Sequence, residues 1–314
     1  MKVFAARHHD GDVVMNSRSG GIFTALSDCF LEDGKVYGCI LDEQLHAIHI
    51  GTSSKSVRDK MRGSKYVQSD LGESFKSIKE DLENNLNILF SGTSCQVDGL
   101  KRFLQKDYPN LLCVDIVCHG VPSPKVFESY LQYQGNVTAV DFRNKKDFGW
   151  RNHVETLTVD GNKINSTVWT YFFYSGVILR PSCYECPYKS IEHPGDITIA
   201  DYWGIEKAAP EFDDDRGVSL ALINTNKGCE YFDRIKGLLV YKETRIEDSM
   251  QRAFIRSEIR PQKRDRFWND FNEKDFRYLT KVYGGQLSLL RKVTLKCKML
   301  VKSLFLLFKK ESEV

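Results

Sequence analysis

Two phosphate-binding signatures are missing from this sequence. It contains neither the G-x-G-x-x-G turn of dinucleotide-binding folds nor the G-x-x-x-x-G-K-[ST] loop of nucleotide triphosphatases. A conventional Rossmann dinucleotide site is therefore not supported. The sequence also lacks a strong excess of one charge, since 45 Lys and Arg stand against 42 Asp and Glu, a net charge of +3. This balance is too mild to indicate a nucleic-acid partner.

Long hydrophobic runs are also missing. Met1–Asp10 has no apolar stretch of signal-peptide length, so we expect a cytoplasmic protein. In the last thirty residues apolar side chains alternate with basic ones, and the uncharged run Ser303–Phe308 is far too short to span a bilayer. We expect a basic amphipathic helix there, which fits either peripheral contact with the inner face of the membrane or docking on the protein body or a partner.

The patterning of the chain predicts an α/β fold. Its 314 residues are 41% hydrophobic and 28% charged, and we find no internal repeat or low-complexity linker. We expect a partly parallel sheet flanked by helices, with a β-richer second half and a helical C-terminal tail. Three parts are predicted: 1–135 as an α/β flavin-binding part, 136–280 as a β-rich part that carries a Cys-x-x-Cys loop, and 281–314 as the basic amphipathic helix.

One strand–helix–strand unit is the clearest local pattern. Asn87–Phe90 is a short buried-strand run, bounded by what we interpret as a turn at Ser91-Gly92-Thr93. A helix with Val97, Leu100, Phe103 and Leu104 on its apolar face follows, and Leu111–Val117 forms a second strand. Two strands joined by a helix are predicted to be parallel.

Four of the nine cysteines stand out by position. Cys183 and Cys186 form a Cys-x-x-Cys pair, which needs two more ligands to complete a tetrahedral metal site. Cys95 and Cys118 each follow a strand of the parallel unit, so both are expected at one sheet edge. The start of a helix also favours a thiolate at Cys95. From the residues alone, a four-thiolate site suits zinc and an iron–sulfur cluster equally.

Other interpretations of the cysteines stay open. A cytosolic thiol is kept reduced unless it binds metal or performs chemistry, and cysteine is often a small buried hydrophobe. We interpret Cys29, Cys39, Cys113, Cys229 and Cys297 in that way, because each lies within a helical or strand pattern. Cys95 with His119 is an alternative as a thiolate–imidazolium pair, which leaves Cys183 and Cys186 unexplained.

Three polar loops are candidate contacts for a phosphorylated, planar ligand. Ser17–Gly21 opens the first helix, where free amides attract a diphosphate, although Ser and Gly are also common helix caps. Arg62–Tyr66 combines cations with an aromatic ring, and its alternative is an exposed basic loop. Ser91–Thr93 adds a third Gly/Ser turn at the end of a predicted parallel strand.

Together these segments resemble the coenzyme F-420 (deazaflavin) hydrogenase/dehydrogenase beta-subunit family. The resemblance spans about residues 1–240 and depends on the order of the motifs. The segments that carry it are SRSGGIF at 17–23, RGSKYVQSD at 62–70, LFSGTSCQ at 89–96, VCHGVPSP at 117–124, RPSCYECPYK at 180–189, DITIADYWGI at 196–205 and DDDRGVSLALIN at 213–224.

The resemblance implies FAD, a 4Fe-4S cluster, and an oxidoreductase that passes electrons between cluster, flavin and a small organic substrate or deazaflavin. It implies Cys95, Cys118, Cys183 and Cys186 as cluster ligands. The flavin-contacting candidates are Ser19, Gly20, Gly21, Arg62, Ser64, Lys65 and Tyr66, with Ser91, Gly92 and Thr93 added from the third loop. Some bacterial members of the family are encoded beside polysaccharide genes.

The sequence departs from the family in one respect, and two rival functions remain. Many relatives carry a ferredoxin-like segment of closely spaced cysteines ahead of this core, which is missing here. We therefore expect a separate ferredoxin or partner subunit as electron donor.

For proton transfer near the flavin, His119 is the first candidate and Asp201 the second. The rivals are an electron-transfer subunit without its own substrate and a zinc-stabilised interaction protein at the membrane surface.

Overall fold

A computed structural model describes residues 1–285. The part of the predicted C-terminal helix beyond residue 285 lies outside the described residues. The strands are β1 (Lys2–His8), β2 (Gly34–Leu41), β3 (Ala47–Thr52), β4 (Asn87–Thr93), β5 (Leu111–Ile116), β6 (Val137–Asp141), β7 (Glu155–Val159), β8 (Asn162–Ser166), β9 (Ile197–Asp201), β10 (Ser219–Ile223) and β11 (Leu239–Thr244). The α-helices are α1 (Gly11–Asn16), α2 (Ile22–Asp28), α3 (Lys55–Asp59), α4 (Ser74–Glu83), α5 (Ser94–Leu104), α6 (Pro124–Gln134), α7 (Lys145–Phe148), α8 (Val168–Ser175), α9 (Ile205–Ala208), α10 (Asn226–Ile235), α11 (Arg264–Glu273) and α12 (Phe276–Val282).

A mixed eight-stranded sheet forms the centre of the fold, in the order β11-β1-β10-β9-β5-β4-β2-β3. The pairs β2–β4, β4–β5 and β5–β9 are parallel, and the other pairs are antiparallel. The α/β class and the parallel β4–α5–β5 unit are thus confirmed. The parallel strands are almost continuously apolar because helices cover both of their faces.

Successive residues of the parallel strands point to opposite faces of this sheet. Leu112 belongs to the core under α2 and α10, whereas its neighbour Cys113 belongs to the core under α4 and α5. This alternation, with a period of two, follows from the pleat of the strand. Helices on both faces therefore bury the sheet in three layers and leave its strand ends as the place where ligands have access.

A second, three-stranded sheet has the order β6-β7-β8. The β7–β8 hairpin turns through Asp160 and Gly161, whose φ angles of 47° and 77° match a two-residue hairpin turn. The sheet packs with α6, α8, α11 and α12 in a separate aromatic core that includes Trp169 and Phe267. Strands β6, β7 and β8 all lie within the predicted part 136–280.

The division into parts at residue 135 stays a prediction about sequence segments. Strands β9, β10 and β11 come from the predicted second part, yet they pair with each other and with β1 and β5 of the first part. The large sheet therefore crosses this boundary. The Cys-x-x-Cys loop lies between β8 and β9, where the chain passes from the small sheet back to the large one.

Two local predictions were wrong. Ser91-Gly92-Thr93 is not a turn but the end of β4, because β5 continues alongside it and Ser91 pairs with Val114. Phe103 is not on the buried face of α5 but 42% exposed, since the core contacts are already filled by Val97 and Leu100.

Candidate cofactor site

A cavity of about 1170 Å³ lies at the edge of the large sheet where β4, β5 and β9 end. Its wall includes Ser91–Thr93 of β4, Cys118 after β5 and Asp201 of β9. Loops at 17–23 and 61–71 supply further residues. Small-molecule sites usually measure about 300–1,000 Å³, so this cavity has room for a ligand of dinucleotide size. The carboxyl ends of parallel strands are the usual ligand edge of such sheets.

The loop at 17–21 is fixed on the antiparallel strands beside the cavity. Gly21 caps α2 with a φ of +93°, a left-handed conformation that favours glycine. The N–H of Gly20 donates to Ser219 Oγ at 2.9 Å. Ser19 and Gly21 line the cavity, but Gly20 does not: a Cβ there would collide with the carbonyl oxygen of Ala6. The lack of a side chain at Gly20 therefore serves close backbone packing, and a ligand contact there stays a prediction.

Asp201 is held as a carboxylate by three donors. Arg143 Nη1 donates to its Oδ2 at 2.5 Å, Trp150 Nε1 donates to its Oδ1 at 3.0 Å, and Ser19 Oγ also donates to Oδ1. Burial alone would raise the pKa of Asp201, but Arg143 and the bonds from Ser19 and Trp150 lower it below its usual value. An ionised acceptor has no proton to give. The carboxylate thus has a positioning contact with Ser19, and the part of Asp201 in proton transfer stays a prediction.

A buried lysine gathers three backbone carbonyls beneath the same loop. Lys145 is 3% exposed, and its Nζ donates to the carbonyl oxygens of Val14 at 2.5 Å, Ser19 at 3.1 Å and Arg216 at 2.8 Å. Burial, reinforced by the nearby Arg18, lowers its pKa to about 7. The amine thus ties the loop at 17–21 to the chain on either side of it.

The loop at 62–66 brings cations and a ring to the cavity lining. Arg62 donates to Thr24 Oγ1 at 3.0 Å and pairs with Asp59 at 2.8 Å. Lys65 Nζ donates to three carbonyl oxygens of its own loop, and burial lowers its pKa to about 8. The ring of Tyr66 packs 4.9 Å from that of Phe173. The cavity lining includes Arg62, Ser64, Lys65 and Tyr66. Lys65 in addition stabilises the shape of the loop through its three hydrogen bonds.

The four predicted cysteine ligands come from three segments that meet at one place. Cys95 lies in the first turn of α5, exposed, with its Sγ 3.1 Å from Thr93 Oγ1. The N–H of Val121 points at Cys183 Sγ over 3.5 Å, which joins the Cys118 loop to the Cys-x-x-Cys loop. An isolated bridge between residues 122 and 179 fixes these two loops together.

The thiols are close enough to affect one another. Burial, together with the smaller effects of the neighbouring Cys183 and Cys95, raises the pKa of Cys118 to about 12, although Lys189 opposes this. Burial likewise raises the pKa of Cys183, with added effects from Cys186 and Cys95. Neutral thiols are therefore preferred without a cation, and a bound metal centre would reverse this preference.

Within residues 1–285, no group of three or more His, Cys, Asp or Glu side chains is arranged to hold a single metal ion. Four thiolates on zinc would need sulfur atoms about 4 Å apart, given Zn–S bonds of about 2.3 Å. A cubane cluster places four iron atoms and four sulfides between its thiolates, so its ligands stand further apart. Four cysteine thiolates from neighbouring loops are a donor set that both a zinc ion and a 4Fe-4S cluster accept.

His119 reaches the cavity next to the Cys118 loop. Its Nδ1 lies 3.3 Å from Glu258 Oε1, and Glu258 also pairs with Arg252 at 3.2 Å. Its Nε2 is buried without a hydrogen-bond partner among the described residues. Burial lowers the pKa of His119, and Glu258 opposes this. The carboxylate can only accept, so Nδ1 carries the hydrogen and Nε2 remains available.

Sequence reasoning missed three residues that shape this site: Arg143, Lys145 and Glu258. Arg143 and Lys145 belong to a polar run after β6 that has no recognised spacing, and Glu258 follows the last residue of the resemblance by many positions. Their partners lie 58, 126 and 139 positions away along the chain, so no local pattern connects them. The basic run at 143–146 was the one available signal.

Residues 86–249 match a family model that describes the C terminus of the coenzyme F420 hydrogenase/dehydrogenase beta subunit. This chain belongs to that family. A similar solved structure comes from the F420-reducing [NiFe] hydrogenase complex of Methanosarcina barkeri, with a TM-score of 0.53 and 17% identity over 77% of this chain and 81% of that one. This likeness is one of fold. A search of the curated proteins gives no match.

The F420 hydrogenase/dehydrogenase beta-subunit family is a redox family. The membership of this chain confirms the predicted resemblance. The matched segment contains Cys95, Cys118, Cys183, Cys186 and Asp201, whereas the loops at 17–21 and 62–66 lie outside it. No helix within residues 1–285 is both long and apolar enough to cross a bilayer.

Proposed function

We propose that this chain is an iron–sulfur flavoprotein oxidoreductase. The cavity holds FAD, the four cysteines hold a 4Fe-4S cluster, and electrons pass between the two and a small organic substrate or deazaflavin. The observation that carries the proposal is that one cavity wall joins the polar loops at 17–21 and 62–66 to Cys95 and Cys118. A flavin in this cavity therefore lies beside the cysteine loops. When bound, the cofactors supply one-electron and hydride chemistry.

The protein residues have separate tasks in this proposal. Arg18 and Arg62 give the cavity positive charge for a diphosphate, and Arg18 is itself held by Asp141 at 3.1 Å. Asp201 acts as a positioning residue, because its carboxylate accepts a hydrogen bond from the Ser19 hydroxyl and so fixes Ser19. Tyr66 offers a ring beside the same wall for a planar group.

His119 is proposed to exchange a proton with the ligand in the cavity. Its Nε2 has no protein partner within the described residues, while Glu258 orients the ring from the other side. Phe173 packs against it with ring centroids 4.9 Å apart, which limits rotation of the imidazole. A fixed ring with Nδ1 committed to Glu258 and Nε2 without a protein partner among the described residues is an arrangement suited to proton transfer.

The test is the visible spectrum, with iron, sulfide and flavin content, of anaerobically purified protein. We expect a broad cluster band together with flavin maxima. Cys118→Ser should lose iron and the cluster band while flavin is retained, and Cys229→Ser, a half-buried thiol on α10, should match the parent. Full occupancy by zinc and a colourless protein after anaerobic reconstitution would overturn the proposal.

A further inference from the structure

A strap at residues 250–263 runs from the cavity rim across the Cys-x-x-Cys loop. Met250–Ala253 line the cavity, and Gln251 Nε2 donates to the backbone oxygen of Asp201 at 2.7 Å. Further along, Ser257 Oγ donates to the backbone oxygen of Cys186 at 3.1 Å. The strap thus contacts both the cavity and the Cys-x-x-Cys loop.

The outer surface of this strap is apolar and basic. Ile255 and Ile259 are 64% and 66% exposed, the highest values among large hydrophobic side chains of the described residues. Exposed cations flank them: Arg252, Arg256, Arg260 and Lys263. The acidic residue within the strap, Glu258, is buried and already paired. Apolar side chains with arginines around them have the composition of a protein–protein interface.

We propose that the strap is the docking surface for a small acidic one-electron carrier protein of the ferredoxin type. This docking surface rests on the proposed cluster, to which the carrier protein donates electrons from its place on the strap. Arg252 pairs with Glu258 at 3.2 Å and Arg260 with Asp265 at 2.6 Å, so the four cations keep a net positive charge over these two carboxylates. That charge favours an acidic partner, because complementary charge steers encounter and sets orientation. The isoleucines supply the apolar contact, and a partner seated on them lies against the segment that touches Cys186.

The electron balance is simple. Each docked carrier is oxidised by one electron, and the centre held by the cysteines is reduced by one electron. Two encounters, with uptake of one proton, provide the equivalent of a hydride for the substrate. Nothing else is consumed, and the oxidised carrier leaves when the ionic contacts are exchanged for water and salt.

The test uses the anaerobically purified full chain and a reduced acidic [2Fe-2S] ferredoxin. The variant is Arg256→Glu/Arg260→Glu, and the matched control is Lys163→Glu on edge strand β8. We expect the second-order rate of ferredoxin oxidation at low salt to fall at least roughly tenfold in the variant, with the difference lost at high salt. The control should follow the parent, and dithionite should reduce all three proteins equally.

A binding measurement with oxidised ferredoxin separates the two proposals. Weaker binding of the arginine variant supports the docking surface even if the chain holds no cluster, in which case the proposed function alone fails. Ile255→Ser/Ile259→Ser should weaken binding at every salt concentration. Equal binding and equal rates for parent and variants would overturn the docking surface. So would a strap that instead mediates self-association, shown by a dimer that the isoleucine variant dissociates.

Discussion

Removal of the Asp201 charge probes the ion pair beneath the candidate flavin loop. The side chain of Arg143 is 4% exposed and that of Asp201 is 13% exposed. Asp201→Asn keeps the shape but leaves the guanidinium facing an amide with no opposite charge. Removal of one partner of a buried ion pair costs about 3–5 kcal/mol. Since the free energy of unfolding of a whole domain is about 5–15 kcal/mol, the variant should lose a large part of its stability.

The assay is urea unfolding followed by circular dichroism, with Asp141→Asn as matched control. Asp141 pairs with Arg18, but its side chain is 49% exposed, so the same change there should cost about 0–1 kcal/mol. The double variant Arg143→Met/Asp201→Asn should lose less than the two single variants together, because no buried charge is left unpaired.

The pH dependence of the same pair follows from linkage. The folded-state pKa of Asp201 lies below its unfolded value of about 3.9, so its contribution is fully present above pH 4 and is lost as pH falls through the folded pKa. Equal unfolding free energies for Asp201→Asn and Asp141→Asn at pH 7 would refute the reasoning. Such a result would mean that the Arg143 contact is solvated.

Two further predictions concern the same region. Burial lowers the pKa of His49 to about 4. As pH falls, His49 is therefore protonated in the unfolded chain before it is protonated in the folded one. The free energy of unfolding should drop by about 2 kcal/mol between pH 7.5 and 5 because of this group. Urea unfolding at both pH values should show that this drop is missing in His49→Gln. The drop should be kept in His46→Gln, which changes an exposed histidine. An equal drop in both variants would contradict the prediction for His49. Gly20→Ala should cost about 1–3 kcal/mol, since its Cβ collides with strand backbone, whereas Gly237→Ala has open space. Thermal unfolding of the two variants compares them, and equal midpoints would count against the packing role of Gly20.

Short-range patterns in the amino-acid sequence predict the local elements and the positions of the candidate ligand residues. The apolar runs at 87–90 and 111–117 predicted two parallel strands, which the β4–β5 pairing confirms. Because parallel strands end at one edge, the positions of Cys95 and Cys118 were enough to predict that they meet near a ligand edge. The ligand roles of the cysteines stay predictions, while the family is confirmed.

Which distant groups share a contact is seen only once the chain is folded. Ser91–Thr93 reads as a turn until β5 is seen to pair along its whole length. Asp201 looks like a free acid until Arg143, 58 positions away, is placed against it. The reason is physical: periodicity and capping are encoded within a few residues, whereas ion pairs and strand neighbours depend on which segments the core brings together. The strap over Cys186 belongs to this second kind of information.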